Sequence, residues 1–94
     1  MMSDTFEQDV HAVFLELEAL LLRKHSDYGP KNISQAPGGG LNGIRVRLWD
    51  KFARINNLLD NGTVALNEPL EDSFMDTANY SIIAILVSRG LWPE

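Results

Sequence analysis

Ninety-four residues suit a single domain with a modest core, so residues 1–94 read as one unit, of a size that often buries further surface by oligomerising. The absence of cysteine excludes disulfides and thiolate metal sites, leaving a hard cation on oxygen ligands as the open metal chemistry. A net charge of -5 argues against a generic nucleic-acid surface, although a local basic patch for one small anionic ligand stays compatible.

The first predicted helix starts near Ser3 or Asp4, where Asp4 and Glu7 have capping-box spacing, and runs to about Lys24. Phe6, Val10, Val13, Phe14, Leu17, Leu20 and Leu21 recur at helical spacing and are expected to form core. A second stripe, Ala12, Leu15, Ala19 and Leu22, lies nearly opposite, and either a subunit interface or other helices of the same chain would cover it. His11 has no second histidine at ligand spacing. Glu16 and Glu18 diverge by about 160° around the helix and cannot share an ion.

The segment from Lys24 to Asn32 is polar and broken by Gly29-Pro30. A helix stop explains Lys24 and Gly29, but the segment is also dense in ligand-capable groups. Tyr28 can stack on a base, Lys24 and Lys31 can meet phosphates, and Asn32 can read a polar edge, with Asp27 among them. Ser34 to Asn42, with three consecutive glycines, reads as a mobile loop that fits no phosphate-loop spacing.

A middle helix is expected from Gly43 or Ile44 to Asp60, with Ile44, Leu48, Phe52, Ile55 and Leu59 as its core face. Arg47, Asp50, Lys51 and Arg54 project from one flank, with Asn57 at the edge. Val46, Trp49 and Ala53 make a second apolar edge, destined for intrachain packing or for a subunit contact. Thr63 to Pro69 is a connection, with a cap expected at Asn67 or Glu68 and Pro69 in the first turn of the last helix.

That helix, Pro69 to Gly90, has an apolar half, Ile82 to Val87, expected to be enclosed on all sides. Its acidic half aligns Asp72, Asp76 and Asn79 on one stripe. Glu71 and Asp72 fit the helix dipole, whereas Asp76 lies past the first turn and needs a cationic neighbour, Arg54 for instance, or a metal ion. Leu91-Trp92-Pro93 is expected to fold back as an apolar plug. The whole is an all-α bundle of three main helices, completed by oligomerisation as a homodimer or larger assembly.

Three stretches together, Lys24 to Gly29 (KHSDYG), Gly43-Ile44-Arg45 through Asp50-Lys51-Phe52-Ala53-Arg54, and Glu71-Asp72 through Asp76-Thr77-Ala78-Asn79-Tyr80, carry a resemblance. The chain resembles the small phage-associated proteins called nucleotide modification associated domain, type one, over roughly Glu18 to Trp92. That family looks like a branch of the MazG and dimeric dUTPase superfamily of all-α nucleoside triphosphate pyrophosphatases. The resemblance implies a nucleotide ligand and Mg²⁺, with cleavage between the α and β phosphates. Asp72 and Asp76 would hold the metal, with Asn79 beside them. In an enzyme Asp50 and Asp76 would be the catalytic residues, Asp50 as a third ligand or water-orienting group, and Arg47, Lys51 and Arg54 would steady phosphates. The superfamily's other acidic motif, of the form E-E-x-x-E, has no counterpart in this chain. The same cleft without catalysis, sequestering a nucleotide or a nucleotide-derived signal, is therefore the alternative, and a purely structural interaction module is a third reading. With an acidic N-terminus and a Ser81 to Val87 run too short to span a bilayer, the chain reads as a soluble protein of the host cytoplasm.

Overall fold

The computed structural model describes residues 2–62 and 67–93, and among these the fold is all-α. Three long helices, α1 (Met2–Tyr28), α3 (Gly40–Asp60) and α4 (Asn67–Ser88), are joined by a single helical turn, α2 (Lys31–Ser34), between the first two. Positions 63–66 of the expected connection lie outside the described residues. The expected capping box falls inside α1, and Asn67 and Glu68 are already helical.

Helix α1 runs four residues beyond the expected stop. Lys24 to Tyr28 contains no breaker, and the helix ends only where Gly29 donates its N–H to the carbonyl of His25 at 2.8 Å, just before Pro30. The glycine-rich stretch is shorter than expected, because α3 begins at Gly40, behind Gly39 at φ 95°. Ile33 on α2 is only 2% exposed and anchors this connection.

Helix α4 closes with two backbone bonds, Gly90 N–H to the Val87 carbonyl and Leu91 N–H to the Leu86 carbonyl. With Gly90 at φ 68° this is a Schellman stop, which reverses the chain at a residue that tolerates the left-handed conformation. The reversal brings Trp92 back over the start of α2, where its Nε1 donates to the carbonyl of Pro30 at 3.0 Å. The expected plug is there, carried by Trp92, while Leu91 stays exposed.

Helices α3 and α4 share the main interface, and α1 touches α4 over a small area. Leu17, Ile33, Ile44 and Ile55 are the buried apolar residues among those described. This corrects the expected core. On α1, Phe6, Val10, Val13 and Phe14 are exposed, because among the described residues α1 packs on α4 over only a small area. Phe52 and Leu59 on α3 are exposed as well, and Trp49 is 76% exposed. The Ile82 to Val87 run is not enclosed either: Ile85 faces solvent and its neighbours are half-buried.

Two buried polar residues on α4 hydrogen-bond in different directions. Ser73 donates back to the Pro69 carbonyl at 2.9 Å, which neutralises its hydroxyl within the helix. Asn79 donates Nδ2 to the carbonyl of Leu17 at 3.1 Å and so ties α4 to α1.

A candidate anion-binding cleft

Beside that tie lies a cleft of about 400 Å³ between α1, α3 and α4, lined also by Gly29, Asn32, Ile33 and Trp92. Each long helix contributes one stripe. From α1 come Leu21, Lys24, His25 and Tyr28, from α3 Arg47 and Lys51, and from α4 Asp76, Asn79, Tyr80 and Ile83. On α1 and α4 the spacing is i, i+3, i+4, i+7, one face of an α-helix, and on α3 it is i, i+4.

Asp76 sits at the centre of the charge. Lys24 Nζ approaches its Oδ1 at 2.8 Å, and Lys51 Nζ approaches its Oδ2 at 2.9 Å. Burial by itself would raise the Asp76 pKa, but hydrogen bonds from Lys24 and Lys51, together with their charges, outweigh it and hold the carboxyl below its ordinary value. The need for a cationic neighbour is met by two lysines from two helices, and Arg54, exposed on α3, is not one of them.

Arg47 completes the cationic set. One guanidinium nitrogen donates to the Asn32 carbonyl at 2.9 Å, and the group lies 5.8 Å from the Tyr80 ring centroid. That anchoring leaves most of its five N–H donors for other acceptors. Three cations therefore face one carboxylate in a chain whose overall charge is -5.

Two polar atoms in the cleft wall lack partners: Nδ1 of His25 and Oδ1 of Asn79. The His25 ring meets Trp92 edge-on, with centroids 5.1 Å apart. Unmet buried polar atoms are rare, and they concentrate where a ligand or water completes the wall.

Of the residues singled out from sequence, Lys24, Tyr28, Asn32, Arg47, Lys51, Asp76 and Asn79 line this cleft. Asp27, Lys31, Asp50, Arg54 and Asp72 are exposed and stand outside its lining. His25, Tyr80 and Trp92 line it without having been named as ligand contacts. A reading that continued the first helix to Tyr28 would have found His25, because Leu21, Lys24, His25 and Tyr28 then fall on one face.

The donor set does not fit a resident Mg²⁺. Such an ion needs a near-octahedral shell of oxygens, and the cleft offers one carboxylate with each oxygen already held by a lysine. No group of three or more His, Cys, Asp or Glu able to hold a metal occurs among the described residues.

The sequence profile described as nucleotide modification associated domain 1 matches residues 24–87, more than half of the chain. The chain belongs to this family. The family match begins at Lys24 and spans every polar residue named in the cleft except Trp92. Searches of curated proteins and of solved structures gave no match.

Proposed function

We propose that the cleft binds a small phosphorylated ligand, a nucleotide in keeping with the family, and that the chain acts as a binder rather than as a metal-dependent hydrolase. The observation that carries this reading is the sharing of Asp76 between Lys24 and Lys51, with Arg47 beside them. A phosphate entering the cleft takes over the lysine ammonium groups through charge-assisted hydrogen bonds, and Arg47 offers a planar fork to the same oxygens. Tyr28 at the rim offers a face on which a base can stack.

The test uses a panel of nucleoside mono-, di- and triphosphates and cyclic nucleotides, with and without Mg²⁺, read by thermal shift and by pyrophosphate release. A ligand at 100 times its Kd adds about 2.7 kcal/mol to stability, a shift on the order of 10 °C for a chain of this size. Asp76→Asn separates the two chemistries. A binder keeps or gains affinity when the lysines lose their internal carboxylate, by about threefold to tenfold. A hydrolase with Asp76 on a metal loses turnover, and Mg²⁺-dependent pyrophosphate release abolished by that substitution would overturn the proposal. So would a panel that shifts nothing.

A further inference from the structure

The wall of the cleft holds one polar atom whose chemistry is fixed and whose partner is missing. Asn79 is 6% exposed and lines the cleft, and its Nδ2 donates to the carbonyl of Leu17 at 3.1 Å. A backbone carbonyl only accepts, so the amide cannot be turned round, and Oδ1 is the atom left over. That oxygen is buried with no hydrogen-bond partner among the described residues. The lysines of the cleft do not serve it, because both are held by Asp76, one turn earlier on α4. His25 Nδ1 is unpartnered as well, but a histidine nitrogen donates or accepts according to its tautomer, whereas an amide oxygen only accepts. Whatever completes Asn79 therefore brings an O–H or N–H donor.

Spacing decides which donor. Asp76 and Asn79 are three residues apart on α4, which places them on adjacent turns with about 5–6 Å between their Cβ atoms. In a nucleotide a sugar hydroxyl lies a few bonds from the phosphate, while the hydrogen-bonding edge of the base lies beyond the sugar and across the ring. A phosphate on Lys24 and Lys51 thus brings a sugar hydroxyl, not a base edge, toward Asn79. We infer that Asn79 is a specificity-determining residue of the cleft, its Oδ1 accepting a hydrogen bond from a ribose hydroxyl of the bound nucleotide. This role rests on the cleft being a nucleotide site, and it makes the sugar the part of the ligand that is read by hydrogen bonding. Tyr28, exposed at the rim, is left for the base, whose face it can stack on without reading an edge.

The test is isothermal titration calorimetry of the full chain with ribonucleoside 5′-mono- and triphosphates, each beside its 2′-deoxy and 3′-deoxy forms. At least one deoxy form is expected to bind about tenfold more weakly than its parent, because it leaves Oδ1 buried and unmet. The form that loses affinity names the hydroxyl, and a loss with the 2′-deoxy form makes the cleft selective for ribonucleotides. In Asn79→Ala the parent is expected to fall to the level of that deoxy form, which itself changes little. Asn79 also ties α4 to α1, so a second measurement needs no substitution. With isotope-labelled asparagine, the Asn79 side-chain amide resonance is expected to move further on saturation with the parent than with the weaker deoxy form. Equal affinities for the parent and both deoxy forms overturn this inference while the cleft reading stands, whereas nucleotides that all fail to bind overturn both. A preference that persists in folded Asn79→Ala, or an Asn79 amide resonance that is the same in both complexes, puts the hydroxyl on another residue and overturns the assignment to Asn79.

Discussion

Asp76 is held by what surrounds it rather than by its own helix. Its neighbours Lys24 and Lys51 differ in exposure, with side chains 45% and 22% accessible, so the Lys51 pair is the better shielded from solvent. Lys51→Met is therefore expected to lower stability by about 1–2 kcal/mol, and Lys24→Met by less than about 1 kcal/mol, measured by urea denaturation at neutral pH. Asp76 also makes that stability depend on pH. Because its folded pKa lies below the ordinary 3.8, the unfolded chain binds more protons there in acid. Its contribution is fully present above the ordinary value and is lost as pH falls from there through the depressed one. The stability gap between the unaltered protein and Asp76→Asn should hold constant from pH 7 to about 5 and narrow toward pH 3. A gap that stays constant to pH 3 would mean that the ion pairs contribute nothing.

At the scale of elements, the helices were legible in the sequence because their apolar spacing is strong, while their ends were less so. The first helix reads as ending at Lys24 because Lys24 to Asn32 is polar, yet polarity does not stop a helix. Gly29 and Pro30 do, and the four extra residues are what carry His25 and Tyr28 into the cleft. Asp76 was legible as a residue in need of a partner, but Lys24 as that partner was not, since the two are 52 residues apart and on helices that barely touch. The start of α3 holds a further constraint. A Cβ built on Gly43 comes within 2.5 Å of the Ala36 Cβ, so the glycine lets the connection lie flat against the helix. Helix propensity alone makes Gly43→Ala stabilising by about 1 kcal/mol. The contact reverses the sign, because neither methyl group can rotate away, and a net loss of about 1–2 kcal/mol is expected in denaturant titrations. A stabilised Gly43→Ala would show that the connection stands off from α3.

For the whole molecule, the all-α class was legible and the extent of the core was not. Periodicity says that Phe6, Val10, Val13 and Phe14 share a face with Leu17, but it does not say whether the atoms covering them belong to the same chain. The radius of gyration, 15.2 Å, exceeds the roughly 12 Å of a compact chain this long, because α1 meets α4 over only a small area. The homo-oligomer expected from the sequence would make stability depend on concentration, because unfolding a dimer releases two chains. Each tenfold rise in protein concentration then adds about 1.4 kcal/mol per dimer. Set against an unfolding entropy of about 0.4 kcal/mol/K for two chains of this length, that raises Tm by about 3–4 °C per tenfold rise. Calorimetry across two decades of concentration should therefore show a rise of about 7 °C, and the Val10→Glu, Phe14→Glu double variant should show none. A Tm independent of concentration in the unaltered protein would leave α1 exposed in solution, and the apolar stripe would then need an occupant other than a second copy.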